Sequence, residues 1–303
     1  MMKNNLAIII PYYKITFFED CLNSLVNQTN KNFNVYIGND NSPNDPKELI
    51  EKYSDQLQIN YKKFDDNLGK DNLVLQWDRC INMSKQEEWI MILGDDDTLA
   101  PNVIEEFYKT TQGTEEKIEL IRLASKLIDE KGETISKVYY NPELELAKDF
   151  FIRCQNGEAR CSLTEHFFTR RCYDKHGFKN FPVAFGSDNV AWLEFSEMGN
   201  VMGINNAIAN IRISSENLSS IKDRKLGFKR VEGYYKYYRY IIENLGSYFS
   251  VEEKEFILNK TYSYLRIHNR SILTAFEYIL FMVNRIGFKR TIKIIKNNRH
   301  RNE

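Results

Sequence analysis

Residues 89–101 read WIMILGDDDTLAP, an apolar run that passes directly into three consecutive aspartates. The apolar run is typical of a buried strand. Like charges at this spacing repel each other, and their proximity costs free energy unless a positive charge lies among them. Asp95, Asp96 and Asp97 therefore form either a solvated turn or a site that holds a cation.

The residues before this stretch alternate between strand and helix patterns. Short apolar runs predict strands at 6–10, 32–40 and 59–64, and apolar residues at helical spacing predict helices at 17–28, 45–57 and 69–84. This alternation, with short connections, is typical of βαβ units around a parallel sheet.

Polar residues follow each of the four predicted strands. They are Pro11–Tyr13, Asn39–Asp40, Asp65–Asn67 and Asp95–Asp97. Ligands of open parallel sheets bind outside the carboxyl ends of the strands, so these four segments are expected at one edge. Their convergence favours a binding site over a single solvated turn.

The rest of the chain predicts fewer regular units. We expect a helix at 101–112, a strand at 118–129 that leads into a hairpin at 130–133, and mixed short elements from about 140 to 220. From about 226 the pattern is helical and rich in Tyr, Phe, Lys and Arg. These patterns predict two domains, 1–222 and 223–303.

Composition narrows the class of protein. The 42 basic and 42 acidic residues of this 303-residue chain balance, which argues against a nucleic-acid partner. The five cysteines are scattered without a CxxC spacing, which is typical of reduced thiols in the cytosol. The N-terminal apolar run is too short for a secretion signal, and no apolar run reaches the length of about 18 residues that a membrane span needs. We therefore expect a cytoplasmic protein.

The order LAIIIPYYK, VYIGNDNSPND, DDNLGKDN and WIMILGDDDTLAP resembles the motif order of family-2 glycosyltransferases with the GT-A fold. The resemblance covers about residues 6–220. It implies an α/β, Rossmann-like fold with a mostly parallel central sheet flanked by helices, followed by a helical C-terminal extension. It also implies an inverting enzyme that uses a nucleotide-diphospho-sugar.

The resemblance assigns the nucleotide to three segments. Pro11, Tyr12 and Tyr13 would wrap the base and ribose, although a strand-ending proline with two core tyrosines is the structural alternative. Asp40 would accept a hydrogen bond from uracil N3–H. Because asparagines flank Asp40 where the family more often has DDGS, we expect a turn of the Asx type.

The stretch DDNLGKDN matches the family's N-x-G segment near the base and phosphates. Asn67 and Gly69 are the matching positions, Gly69 would let the backbone approach the ligand, and Lys70 would supply positive charge. A plain turn before a helix is the alternative.

The three aspartates match the family's D-x-D-D metal motif with one departure. Gly94 stands where the first aspartate usually is, Asp95 fills the variable position, and Asp96 and Asp97 keep the last two. By the match, Asp97 binds a divalent cation, Mn²⁺ or Mg²⁺, that neutralises the donor diphosphate. Asp96 contacts ribose or metal-bound water, and Asp95 is either a further ligand or a supporting residue.

The family's general base is an acidic residue that opens a later helix. FPVAFGSDNVAWLEFSEMG (181–199) fits, which makes Asp188 the catalytic base. The alternatives are that Asp188 only caps the helix, or that Glu194 is the base. In ANIRISSENLSS (209–220), Arg212 matches a family arginine, whereas Ser214 replaces a histidine that would bind metal. His166 is a residue that could face the acceptor.

The chain ends in EYILFMVNRIGFKRTIKIIKNNRHRNE (277–303), where lysines and arginines alternate with apolar residues. Such helices lie on anionic membrane surfaces. A helix packed on the catalytic domain, followed by a solvated basic tail, is the alternative.

These observations predict an enzyme that moves a sugar from a UDP-sugar to a glycan or lipid-linked acceptor in the biosynthesis of a capsule, O-antigen or similar polysaccharide. Two alternatives stay open. A nucleotidyltransferase would normally carry a Gly-rich basic loop after the first strand, which PYYKITFFED lacks. A non-catalytic nucleotide-sugar-binding protein would keep the fold without the reaction.

Overall fold

The computed structural model describes residues 5–84, 86–113, 117–216, 224–267 and 272–299. The chain forms two compact units, of which the first contains residues 1–180 and 191–221 and the second contains residues 181–190 and 222–303. The domain boundary predicted at residue 222 lies outside the described residues and stays a prediction, as do the ends of the 209–220 and 277–303 motifs.

The first unit begins with the alternation that the sequence predicts. Its elements up to the aspartates are β1 (Leu6–Tyr12), α1 (Phe18–Val26), β2 (Asn34–Asn39), α2 (Lys47–Tyr53), β3 (Ile59–Lys63), α3 (Leu73–Ile81) and β4 (Trp89–Ile92). The elements that follow are β5 (Thr98–Leu99), α4 (Val103–Gly113), β6 (Leu120–Ile128), β7 (Leu144–Leu146), α5 (Ala147–Gln155), β8 (His166–Thr169), α6 (Arg170–His176) and β9 (Asn200–Arg212). Helix α7 spans Ser187–Phe195, of which residues 187–190 are assigned to the second unit and residues 191–195 to the first.

Among the described residues, nine strands form one sheet in the order β3-β2-β1-β4-β8-β6-β9-β5, with β7 paired to β9. The strands β3, β2, β1 and β4 are parallel, whereas β8 is antiparallel to both β4 and β6. The parallel half carries the predicted strand ends. In the register, Tyr12 lies opposite Asn39 and Ile9 lies opposite Ile92.

The parallel half is held by apolar contacts on both faces of β1. Its residues Leu6 to Ile10 are fully buried, as expected of a strand covered by helices on both sides. Helix α1 buries Phe18, Cys21, Leu22 and Leu25, which recur at the spacing of one helical face. Pro11 lies two residues beyond Ile9, the last β1 residue paired with β4, so its missing N–H removes no bond between those strands.

Helix α3 begins later than the pattern predicts. We expected a helix from residue 69, but the helix starts at Leu73, and the side chain of Asn72 caps it by accepting a hydrogen bond from Leu75 N at 3.2 Å. The residues before Asn72 are therefore free to form the loop that the functional site uses.

The second unit is helical, as predicted. It contains the turn Pro182–Ala184, α8 (Arg224–Tyr240), a π turn (Ile241–Leu245), a 3₁₀ turn (Gly246–Tyr248), α9 (Val251–Ile267), α10 (Ile272–Ile286) and α11 (Phe288–Arg299). Gly287, with φ of 82°, separates α10 from α11.

Helix α11 packs against α9 through one face. Thr291, Ile294 and Asn298 are buried, and Asn298 bonds to Asn259 at 2.7 Å. Arg290 donates hydrogen bonds to two glutamates of α9. No helix in the described part of the chain is long and apolar enough to cross a membrane.

Candidate active site

The loop after β4 is tied to the segment after β1 by Asp95. Its Oδ2 accepts hydrogen bonds from the backbone N–H groups of Tyr13 at 2.7 Å and Lys14 at 2.8 Å. Burial raises the pKa of Asp95 to about 6, and the charge of Asp96 adds to the shift. Asp95 thus connects two strand ends, and its assignment to the nucleotide-sugar site stays a prediction.

Of the residues expected to wrap the nucleotide, Tyr12 lies in the core. Its side chain is fully buried 4.6 Å from the ring of Phe18, and its hydroxyl donates to the Asn44 carbonyl at 2.7 Å. The assignment of the Tyr12 ring to the nucleotide is therefore corrected, because the ring has no accessible surface. Tyr13 is 40% exposed, so it is available to a ligand.

Asp40 forms the centre of the corner at the ends of β2 and β3. Its Oδ1 accepts from Leu68 N at 2.8 Å and its Oδ2 from Gly69 N at 2.9 Å, and Arg79 pairs with it. Burial raises the pKa of Asp40, while these N–H groups and Arg79 oppose the rise. The carboxylate thus shapes the following loop. Oδ1 already accepts from both Leu68 N and Arg79, whereas Oδ2 accepts only from Gly69 N and retains a lone pair for a further donor.

In the turn around Asp40 an asparagine side chain bonds to the backbone, but three residues on rather than the two of the predicted Asx turn. Asn39 Oδ1 accepts from Ser42 N at 2.8 Å, and Asn41 has a φ of 51°. Gly69 does permit a close approach, but the approaching group is Asp40. A methyl group added at Gly69 would lie 2.6 Å from Asp40 Oδ2.

Arg79 is a site residue that the sequence analysis missed. It donates to Asp66 Oδ1 at 2.6 Å as well as to Asp40, and its guanidinium lies 4.0 Å from the centre of the Phe64 ring. It joins the loop after β3 to the end of β2. Within the same loop, Asn67 Oδ1 accepts from Lys70 N at 3.0 Å, and Lys70 itself is exposed.

Asp96 and Asp97 converge beside Gly94. A methyl group added at Gly94 would lie 2.9 Å from Asp97 Oδ2 and 3.2 Å from Asp96 Oδ1, so the two carboxylates occupy the space that a side chain would take. This explains the departure from the D-x-D-D pattern. Burial and the charge of Asp96 raise the pKa of Asp97 to about 7, and burial also raises the pKa of Asp96.

Two residues hold Asp97 in place. The Thr164 hydroxyl donates to Oδ2 at 2.5 Å, and Arg212 N donates to Oδ1 at 2.8 Å. Thr164 also accepts from Gly94 N at 3.1 Å, which locks the turn. Thr164 was missed because it lies in a short 3₁₀ turn far along the chain and has no motif.

The residues present fit a divalent cation that arrives with a ligand. No group of three or more His, Cys, Asp or Glu residues in the described ranges is arranged to hold a metal ion alone. Mg²⁺ sites, however, commonly use one or two carboxylates together with substrate phosphates. Asp96 and Asp97 offer that donor set, and each carboxylate oxygen has two lone pairs.

Arg212 is buried and contacts the backbone of the loop that carries Asp96 and Asp97. Its side chain is 2% exposed, and it donates to the Asp96 carbonyl at 2.8 Å, the Asp129 carbonyl at 2.9 Å and Asp20 Oδ2 at 2.9 Å. The buried Ser214 accepts from Glu216 N at 3.3 Å. The family arginine is therefore a positioning residue in this structure.

Asp188 belongs to the second unit and lies inside the first turn of α7, which begins at Ser187. Its Oδ1 accepts hydrogen bonds from Asn189 N at 2.8 Å and Asn189 Nδ2 at 2.9 Å. Asp188 is half-buried. Its assignment as general base stays a prediction.

Two alternative site residues are buried. Glu194 is buried and pairs with Lys179 at 3.0 Å, so it is not solvated. His166 was expected to be able to face the acceptor, but it is fully buried, stacks on Trp192 with ring centres 4.1 Å apart, and has its pKa lowered to about 3 by burial. The prediction that His166 faces the acceptor is therefore wrong, because the side chain has no accessible surface.

The comparisons with known proteins agree with this architecture. A family model described as Glycosyl transferase family 2 matches residues 7–170, which is more than half of the chain. A comparison with curated protein sequences found no significant match.

Solved structures of S. aureus TarS are similar in fold. TarS 1-349 in complex with UDP-GlcNAc superposes with a TM-score of 0.67 and 13% identity, covering 96% of this chain and 83% of that one. A longer TarS chain gives 0.61 and 14%, covering 88% of this chain and 44% of that one, so the present chain spans less than half of it. At this identity the likeness concerns the fold, and the predicted GT-A α/β fold is confirmed.

Proposed function

The chain belongs to glycosyl transferase family 2, an inverting family, and we propose that it transfers a sugar from a UDP-sugar to a glycan or lipid-linked acceptor with a divalent cation. The observation that carries the proposal is the convergence of the Asp96 and Asp97 carboxylates beside Gly94, at the carboxyl end of a parallel strand. Two carboxylates in that place suit a cation that is shared with a diphosphate.

The donor side of the proposal rests on the Asp40 corner. Asp40 retains acceptor capacity for the uracil N3–H, and Pro11 and the exposed Tyr13 lie at the end of the neighbouring strand. The similar TarS structures are described in complex with UDP-GlcNAc and with UDP, which supports a UDP-sugar as the donor class. Lys70, exposed on the adjoining loop, adds positive charge for the phosphates.

The cation, when bound, supplies Lewis acidity that stabilises the departing nucleoside diphosphate. Asp97 and Asp96 would hold it. Thr164 and Arg212 keep the Asp97 carboxylate in place through its two oxygens. Asp95 keeps the nucleotide-wrapping segment beside this loop.

Asp188 is the proposed general base. It would take the proton of the acceptor hydroxyl while that oxygen attacks the anomeric carbon on the face opposite the diphosphate. The new bond joins the acceptor oxygen to the anomeric carbon, the bond from that carbon to the diphosphate oxygen breaks, and the configuration inverts.

The test is Asp188→Asn, because an amide keeps the size of the side chain and cannot accept the proton. We expect unchanged UDP-sugar affinity by calorimetry and a single-turnover rate lower by about 10²–10⁴. Asp174→Asn, an exposed aspartate of α6, is the matched control. A native rate in Asp188→Asn would move the base elsewhere, and a joint fall of affinity, rate and Tm would make Asp188 structural.

Product analysis separates the alternative functions. A glycosyltransferase releases UDP from a UDP-sugar, a nucleotidyltransferase releases diphosphate or joins a nucleotide to phosphate, and a binding protein releases neither. Screening UDP-sugars with and without Mn²⁺ by thermal shift and UDP release, together with an assay for diphosphate release from nucleoside triphosphates, distinguishes all three. Release of diphosphate from a nucleoside triphosphate would overturn the proposal.

We also propose that the C-terminal helices touch an anionic membrane surface, with lipid-linked acceptors in polysaccharide biosynthesis as the reason. Phe276 and Leu280 of α10 and Phe288 of α11 are exposed, the last at 67%, and α11 also exposes Lys289 and Lys296. Apolar side chains flanked by lysines suit the inner face of a cell membrane. Arg290 and Lys293 already pair with glutamates of α9 and contribute less.

Vesicle co-sedimentation tests this contact. The protein should bind vesicles that contain an anionic lipid, lose binding in Phe288→Ser, and lose binding as salt rises. Tyr248→Ser, an exposed aromatic residue away from α10 and α11 in sequence, is the control. Equal recovery with neutral and anionic vesicles would contradict the proposal.

A further inference from the structure

The turn before Asp188 has an unusual backbone. Val183 has φ of 53° and ψ of 29°, Ala184 has φ of 56°, and Gly186 has φ of 79°. A left-handed conformation is an outlier for a β-branched residue such as Val183. Such residues persist only where the surroundings hold them, and they cluster at functional sites.

Helix α8 is the element of the same unit that holds this turn. At Gly233 an added methyl group would lie 2.8 Å from the Pro182 carbonyl oxygen and 2.9 Å from Phe185 Cβ, so the turn rests directly on the helix backbone. A methyl group at Gly186 would overlap the ring of Tyr237. The rings of Phe185 and Tyr234 lie 4.2 Å apart. Glycines at both close approaches let the helix and the turn pack without side chains between them.

Tyr237 also connects to the carboxylate itself. Its hydroxyl lies 3.4 Å from Asn189 Oδ1, and Asn189 donates both its N–H and its Nδ2 to Asp188 Oδ1. The contact from Tyr237 fixes which end of the Asn189 amide points to Asp188.

We infer that α8 is the positioning element of the general base: through Gly233 and Tyr237 it holds the turn 182–186, and with it the carboxylate of Asp188, in the reactive orientation. This inference rests on the proposed role of Asp188. Gly233 and Tyr237 are positioning residues, since they act through the turn and through Asn189. A misplacement of about 1 Å far from the chemistry can cost about 10² in rate.

The test compares two glycines of α8. Gly233→Ala adds a methyl group against the turn, whereas Gly227→Ala adds one where no atom lies within 4 Å. Both changes gain the same helix propensity, so their difference reports the contact with the turn. We expect Gly233→Ala to lower kcat by about 30–100-fold with the donor KM within about twofold of the native value. Gly227→Ala should keep the native kcat.

A second pair covers the case in which Gly233→Ala does not fold. Tyr237→Phe keeps the ring that fills the space above Gly186 and loses only the hydroxyl, so its kcat should fall less than that of Tyr237→Leu. Native kcat in folded Gly233→Ala and Tyr237→Leu would overturn the inference. A proportional loss of donor affinity and kcat would also overturn it, because that is the result of a structural role.

Asp188→Asn, measured in the same series, distinguishes a failure of the base assignment from a failure of the positioning inference. If Asp188→Asn is inactive while Gly233→Ala and Tyr237→Leu turn over normally, the positioning role fails and the base remains. If Asp188→Asn turns over normally, the base assignment fails and the inference fails with it.

Discussion

Two acidic corners lie at the ends of β2 and β4, on either side of β1, and they differ in how their negative charge is compensated. At the β2 corner, Asp40 is buried but accepts two backbone hydrogen bonds and pairs with Arg79. At the β4 corner, Asp96 and Asp97 lie close together, and in the described part of the chain no salt bridge joins either of them to a lysine or arginine. The pKa of Asp97 is raised to about 7.

The negative charge of the β2 corner is compensated within the protein itself, whereas that of the β4 corner is not. Arg79 offsets the charge of Asp40 whether or not a ligand is bound, so the loop 65–72 keeps its shape in the free protein. The repulsion between Asp96 and Asp97 destabilises the folded protein until a cation binds between them. Substitutions at the first corner should therefore change stability, and substitutions at the second should change activity and the response to metal ions.

The largest effect is expected for Asp97→Ala. Removing the carboxylate removes the cation contact, and transfer should fall by about a thousandfold or more, since metal stabilisation of the leaving group contributes several kcal/mol. The fold should survive, with a native far-UV circular dichroism spectrum. Asp55→Ala, an exposed aspartate, is the control for the loss of a negative charge. Near-normal transfer with Mn²⁺ would rule out the metal role.

Arg79→Met should act on stability. It leaves Asp40 buried without its cation, and breaking a buried pair costs about 3 kcal/mol, which lowers Tm by about 10 °C. Lys52→Met breaks the exposed pair with Glu19 and should change stability far less, because solvent screens exposed pairs. Chemical denaturation of both variants measures the difference. Equal losses of stability in the two variants would show that Arg79 does not compensate the buried charge of Asp40.

The pH dependence of stability should distinguish the β4 corner without metal. The pKa of Asp97 rises from 3.8 to about 7 on folding, so between these values the folded state holds a proton that the unfolded chain has released. Native stability therefore falls as the pH rises through this window. Asp97→Asn removes this titration, and in chelator its Tm relative to the native protein should rise by several degrees between pH 5 and pH 8. Parallel Tm curves would contradict the raised pKa.

The smallest effect is expected for Gly94→Ala. The added methyl group would lie 2.9 Å from Asp97 Oδ2 and force the carboxylate to move. Mn²⁺ affinity in the presence of UDP should weaken by about tenfold, as for changes that disturb the support of metal ligands. Gly113→Ala, at a position where no atom lies within 4 Å, should leave the affinity unchanged. Unchanged Mn²⁺ affinity in Gly94→Ala would mean that the Asp97 carboxylate can move away from the methyl group and still bind the cation.

The strand ends that form the site could be predicted because they follow from local pattern. Apolar runs followed by Asn39–Asp40 and Asp95–Asp97 place polar groups at one edge of a parallel sheet, and the structure has them there. An asparagine side chain bonded to the backbone of this turn could also be predicted, but its partner, Ser42 N, lies one residue beyond the position of an Asx turn.

The supporting residues could not be predicted, because their partners are distant in sequence. Thr164 meets Asp97 only because β8 inserts antiparallel between β4 and β6, and a four-residue strand carries no pattern that reveals its neighbours. Arg79 looks like an ordinary polar residue of α3 until the sheet brings Asp40 to it. The burial of Tyr12 is likewise set by packing against Phe18 rather than by its motif.

The hydrogen bonds from Tyr13 and Lys14 to Asp95 have a thermodynamic consequence. They join the segment that would wrap the nucleotide to the loop that would hold the cation, so that the two form one element. Any free energy that one ligand spends on ordering this element is then already spent when the other ligand binds. Nucleotide and cation should therefore raise each other's affinity by the same factor, whichever of them binds first.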